Sequence, residues 1–285
     1  MNKLTRLLTK CSLNKSRTYT SISKKPEITL YVRGFLSKEE KTSEEYDRWM
    51  TSHHKLIFKN NWASCAKTYD WDVGSIKMPP TWASGTSLLY GLYNNTKLLR
   101  STNPWTLAST LAIDTTLLAG MVLYQYFIIE ENANTMAPKL ALKLINLSKK
   151  YERVRVICHS LGCKLFINAI NYIPNKHKPS YVHLCAPTFN ELEYKNVLNH
   201  LSKNKTYIYY TKSDIILSIA LQLTKNNNPV GAFGLTTQYS NVSLINVTEY
   251  FNDYWIVHTN YHKEFHKFVA KEEHRKLFLK KYIYE

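Results

Sequence analysis

Short runs of β-branched and aromatic residues alternate with longer helical stretches along this chain. Six runs read as strands, at 28–33, 66–72, 154–157, 181–187, 206–211 and 242–247, the second and fourth of them including their turns. Between them lie segments of helical pattern. A charged segment at 38–48 predicts a solvated helix with Trp49 on its inner side. After the break at Met78-Pro79-Pro80, residues 83–99 read as helical. Residues 137–147 predict an amphipathic helix with Pro138 near its first turn. A further amphipathic stretch covers 164–173, and the chain after His258 is again helical. Strands alternating with helices predict a mainly parallel sheet covered by helices on both faces. Such sheets bind ligands at the carboxyl ends of their strands.

Residues 105–129 form the most apolar stretch, apolar nearly all round after Leu117. Its length would span a bilayer, whereas Asp114 and the nearby Ser and Thr residues argue against a free-standing transmembrane helix. Three readings stay open: a buried helical hairpin, a lid over substrate, or a monotopic membrane element. Glu130-Glu131-Asn132 is expected to end this stretch. The domain organisation predicted is a targeting segment at 1–25 and one α/β domain at 26–285, with an apolar helical insertion at 83–130.

Composition narrows the class. With 285 residues, 44% hydrophobic and 21% charged, the chain can bury a large core and is not wholly disordered. Five cysteines show no paired metal spacing and read as reduced, mostly buried thiols. The formal charge is +17. Residues 1–25 hold seven Lys or Arg, several Ser and Thr, and no Asp or Glu, which is the composition of an organellar transit peptide. Arg17 precedes an expected cleavage site near Thr20. Mitochondrial localisation, in the matrix or at the inner membrane, follows as the expectation. The remaining positive charge is diffuse and lacks the motifs of nucleic-acid readers, so no nucleic-acid partner is expected.

The most specific chemical signal is Cys158-His159-Ser160-Leu161-Gly162, set between a strand and a helix. A serine at such a sharp turn is the nucleophile elbow of α/β-hydrolases. The turn exposes the hydroxyl and sets the next amide toward a developing oxyanion. Cys158 stands where glycine is usual. The α/β-hydrolase order is serine, then acid, then histidine. Asp214 follows the 206–211 strand, and His258 follows the last strand at the start of the last helix. The candidate catalytic residues are therefore Ser160, Asp214 and His258. The oxyanion donors expected are the backbone amides of Leu161 and of Phe35, which follows the first strand. No metal or organic cofactor is implied.

Taken together, these stretches resemble the α/β-hydrolase-fold family of transmembrane and coiled-coil domain-containing protein 4. The similar segments run in order through Val32-Arg33-Gly34-Phe35-Leu36-Ser37, Tyr69-Asp70-Trp71-Asp72, the apolar segment, the elbow and Leu184-Cys185-Ala186-Pro187. They continue through Ser213-Asp214-Ile215-Ile216-Leu217, residues 230–235, Asn246-Val247-Thr248 and His258-Thr259-Asn260-Tyr261. The resemblance implies a Ser–Asp–His hydrolase, a lipase or acyl esterase, associated with membranes. Its expected partners are a lipid or acyl-ester substrate and, through 105–129, a membrane. The alternative is a catalytically silent hydrolase-fold subunit in a mitochondrial membrane protein complex.

Overall fold

A computed structural model describes residues 25–34, 48–71, 104–220, 228–254 and 257–269, with only the backbone described at 104–125, 127, 219 and 220. Expectations at 1–24, 35–47, 72–103 and 270–285 lie outside the described residues, among them the charged helix before Arg48, the helical segment 83–99 and the oxyanion donor Phe35. Six parallel strands form one sheet: β1 (Lys25–Val32), β2 (Ala66–Tyr69), β3 (Tyr151–His159), β4 (Tyr181–Cys185), β5 (Lys205–Tyr210) and β6 (Val242–Asn246). Their order is β2-β1-β3-β4-β5-β6. Lys25, assigned from sequence to the targeting segment, is the first residue of β1 and pairs with Tyr151.

The strand order reverses between β1 and β3. The connection from β1 moves to one side of the sheet and every later connection moves to the other. Parallel crossovers are right-handed, so such a reversal puts helices on opposite faces and opens a crevice at the carboxyl edge.

The two faces differ in chemistry. Side chains alternate along a strand, and the parallel register aligns Tyr31, Ile157, His183 and Tyr207 on one side. Helix α1 (Arg48–Asn60) packs here, with Trp49 5.7 Å from Tyr31 between ring centroids. Helix α4 (261–269) joins it, Phe265 lying 5.6 Å from Trp49 and 5.7 Å from His183. The opposite side is aliphatic. Leu30, Val32, Val156, Val182, Leu184 and Ile208 are all essentially inaccessible there.

Helices α2 (Pro104–Lys150) and α3 (Leu161–Ile170) pack against each other. Two sequence expectations are corrected in α2. The helix does not end at Glu130-Glu131-Asn132, and Pro138 sits in its interior rather than its first turn. The apolar 105–129 stretch and the amphipathic 137–147 stretch are thus one helix. Polar residues in and just after this apparent stop have partners across the interface: Glu130 accepts from Lys164 Nζ at 2.8 Å, and Asn134 Oδ1 accepts from Asn168 Nδ2 at 2.6 Å. Ala133 and Ala137 are fully buried on α2. Packing outweighs the hydrogen bond that Pro138 removes. Among the described residues, no helix is long and apolar enough to cross a membrane.

A buried polar network links the strands on the aromatic side. Arg155 Nε donates to Glu27 Oε1 at 3.3 Å, and Arg155 NH1 donates to His183 Nε2 at 3.2 Å. The guanidinium lies 3.9 Å from the Trp62 ring centroid. Because arginine only donates, His183 Nε2 must accept. Its Nδ1–H then donates to Tyr209 Oη at 2.9 Å. The Arg155 and Glu27 side chains are 7% and 5% exposed, so neither charge can turn to water. Arg155→Leu should destabilise the protein by less than the about 3–5 kcal/mol of a fully stranded buried charge, because Arg153 Nε still pairs with Glu27 Oε2 at 3.2 Å from a half-exposed position. Adding Glu27→Leu should recover much of that loss. Equilibrium chemical denaturation of the two variants checks both values.

Candidate active site

The site lies at the reversal of strand order. β3 ends at His159, and α3 begins at Leu161, so Ser160 alone makes the turn. Its φ of 54° and ψ of −128° are costly for a residue with a side chain. The turn is fixed from several sides. Ser160 N–H donates to Cys185 O at 2.9 Å across to β4, and Ser160 O accepts from Cys163 N at 2.9 Å. A serine before a helix ordinarily caps it, yet this hydroxyl makes no cap bond. It is left for another partner.

Two glycines allow the approach. A Cβ on Gly34, just past β1, would lie 2.6 Å from Ser160 Cβ. A Cβ on Gly162 would lie 2.5 Å from the carbonyl oxygens of both Val32 and Arg33. The end of β1 is held in turn by Trp71 Nε1, which donates to Arg33 O at 2.9 Å, and by the Arg33–Asp70 ion pair at 2.6 Å. Cys158 is wholly buried on β3 between Val32 and Leu184. It fills the sheet position where glycine is usual, without displacing the turn.

The structure brings Ser160, Asp214 and His258 together. His258 Nε2 accepts from Ser160 Oγ at 2.8 Å, and His258 Nδ1 donates to Asp214 Oδ2 at 2.7 Å. Asp214 is fully buried past the end of β5. Its second oxygen, Oδ1, accepts from Leu217 N at 3.1 Å. Its amide donates to Thr211 O at 3.3 Å, and its carbonyl accepts from Ser218 N at 2.9 Å. His258 opens a 3-10 turn (His258–Asn260) that runs directly into α4. His262 does not reach this place; its ring packs near Trp49.

These contacts fix protonation roles. A carboxylate only accepts, so His258 carries its proton on Nδ1 and leaves Nε2 bare. The bare nitrogen faces the serine proton. Leu161 stands at the first position of α3, where an amide has no carbonyl one turn back, so it is free to meet an anion. Burial pushes the thiols of Cys158, Cys163 and Cys185 well above the ordinary cysteine range, which keeps them as neutral packing groups. Among the described residues, no group of three or more His, Cys, Asp or Glu is placed to hold a metal ion.

Sequence reading did not find the roles of Gly34 and His159. Gly34 has a signal, a glycine at a strand end, but its closeness to Ser160 comes from the strand order. His159 donates from Nε2 to the backbone carbonyl of His258 at 2.8 Å. No sequence signal marks a bond to a carbonyl so far along the chain. No protein-family model, curated protein or solved structure matches this chain.

The backbone strain at residue 160 has a measurable sign. Glycine normally costs about 0.5–1 kcal/mol relative to alanine in regular structure. At position 160 the order should invert, with Ser160→Gly more stable than Ser160→Ala by about 1–2 kcal/mol. Urea denaturation of the two variants measures the difference.

Proposed function

We propose that this chain is a serine hydrolase of the α/β-hydrolase fold that cleaves a lipid or acyl ester. The observation that carries this reading is the continuous path Ser160 Oγ–His258 Nε2, His258 Nδ1–Asp214 Oδ2, at 2.8 and 2.7 Å, beside a strained serine.

The chemistry follows from the geometry. Ser160 Oγ attacks the acyl carbon as its proton passes to His258 Nε2. The imidazolium so formed is stabilised by the Asp214 carboxylate, which stays ionised. The carbonyl electrons move onto oxygen, and the Leu161 amide donates to that oxyanion. Collapse expels the alkoxide, which takes the proton from His258 and leaves as the alcohol. A water molecule then repeats the sequence: His258 removes its proton, its oxygen adds to the acyl carbon, and Ser160 leaves with the proton returned. Burial of Asp214 keeps water from competing for the Nδ1 proton.

The wider reading is also a proposal. It places the protein at a mitochondrial membrane, in the matrix or at the inner membrane, after removal of an amino-terminal targeting segment. The acid-free basic composition of residues 1–25 supports targeting, and the apolar 105–129 stretch supports membrane contact. Kinship with the family of transmembrane and coiled-coil domain-containing protein 4 rests on the ordered motifs described above.

Hydrolysis of a chain-length series of p-nitrophenyl acyl esters tests the activity. Wild type should show turnover that Ser160→Ala abolishes and Asp214→Asn lowers by about 10⁴-fold, by misplacing the imidazole proton. Turnover unchanged in Ser160→Ala would locate the activity elsewhere. No turnover on any ester by a folded wild type would favour the silent-subunit alternative. For targeting, amino-terminal sequencing of the mature protein from isolated mitochondria should begin near Thr20; a mature chain beginning at Met1 contradicts cleavage.

A further inference from the structure

His159, the residue before Ser160, has no part in the proton path above. Its ring is half-buried at the end of β3. Nε2 lies 2.8 Å from the backbone carbonyl oxygen of His258. A carbonyl only accepts, so Nε2 carries a proton and donates it. In the neutral ring, Nδ1 is then bare.

The ring is held in place by its neighbours. The Trp49 and Tyr261 rings each lie 5.9 Å away between centroids, and the His258 ring lies at 4.9 Å. Burial pushes His159 well below the ordinary histidine range, and His258 and His262 add to the effect. The titratable groups facing it are thus His258, His262 and Tyr261, all from the α4 region, while α1 contributes the neutral Trp49. A neutral His159 matters for chemistry at this spacing. Were it charged, it would oppose the imidazolium that His258 must form.

The bond also answers a mechanical problem. During acylation the hydrogen bond between Ser160 Oγ and His258 Nε2 is broken, because the proton transfers and Oγ bonds to carbon. Asp214 then restrains only the far nitrogen of the ring. His258 sits on a short turn rather than a strand, so its backbone needs another tether.

We propose that His159 is a positioning residue, whose Nε2–H bond to the His258 carbonyl ties the backbone of the base to the nucleophile elbow. This rests on the Ser–Asp–His reading of the site. His159 joins the two elements that carry base and nucleophile, and it does so through the residue adjacent to the nucleophile. The link therefore survives the step in which their direct hydrogen bond is lost.

The test compares His159→Phe, which keeps a ring, with His159→Gln, whose amide nitrogen can replace Nε2–H. Full-length wild type and both variants are treated with a fluorophosphonate, and the labelling rate of Ser160 is followed from pH 6 to 9. Misplacing the base should slow labelling of His159→Phe by about 10–100-fold, with His159→Gln within about threefold of wild type. Nitrogen-15 NMR of the imidazoles should show wild-type His159 as the Nε2–H tautomer. The Nδ1–H signal of His258 should persist in His159→Gln and weaken in His159→Phe. Wild-type labelling in His159→Phe, or equal loss in both variants, overturns the proposal. If His159→Phe fails to fold, the wild-type tautomer still decides: Nδ1–H on His159 overturns it. A wild type that folds but is never labelled contradicts the hydrolase reading instead, and the NMR signals then judge the positioning role alone.

Discussion

The close approach of two chain segments at the reversal of strand order governs the rest of this structure. β1 and β3 are neighbours, and the turns that leave them collide unless both lack bulk. Gly34 and Gly162 supply that space, each with a Cβ position under 3 Å from the opposing segment. Ser160 lies between them with a positive φ that the surrounding bonds impose. An isolated peptide would relax this turn. Here β3, the amide bond to β4 and the start of α3 hold it together, at a cost of about 1–3 kcal/mol that the packed sheet absorbs.

The same reversal explains the placement of the other two side chains. Successive strands on one side of β3 end along a common edge, so loops after β5 and β6 return to the region of Ser160. Asp214 comes from the first of these loops. His258 comes at the head of the helix that closes the aromatic side of the sheet. The aromatic packing of Trp49, Phe265 and the β4–β5 rings therefore does more than fill a core. It sets the position of α4, and with it the direction of the His258 ring. The opposite side, aliphatic and covered by α2 and α3, carries the start of the helix that presents the Leu161 amide.

Much of this was legible in the sequence, for identifiable reasons. The four inner strands are marked by β-branched and aromatic runs because a parallel sheet buries both their faces, and the edge strands β2 and β6 carry shorter or half-exposed runs of the same kind. The three candidate side chains were found because each follows its own strand, and strand ends are where chemistry collects in such folds. Helix α2 was misjudged. Glu130-Glu131-Asn132 is a stop signal by local rules and Pro138 a first-turn residue, but Glu130 and the nearby Asn134 meet Lys164 and Asn168 on a neighbouring helix. Local propensity gave way to tertiary partners. The His159 tether was not legible at all, since its acceptor is a backbone carbonyl. The strand starts at Lys25 and Tyr151 are masked by charged residues, Glu27 in β1 and Glu152 and Arg153 in β3, although Tyr151 is buried and Glu27 is buried against Arg155.

The claim on which everything functional rests is that Ser160 is a nucleophile activated by His258. Covalent modification followed by peptide mapping tests it most directly. Folded full-length protein is incubated with a fluorophosphonate, digested, and analysed by mass spectrometry. One phosphonyl adduct per chain is expected, on Ser160, and it should be absent from folded His258→Ala. An adduct on a different residue, or undiminished labelling of Ser160 in His258→Ala, would contradict the claim.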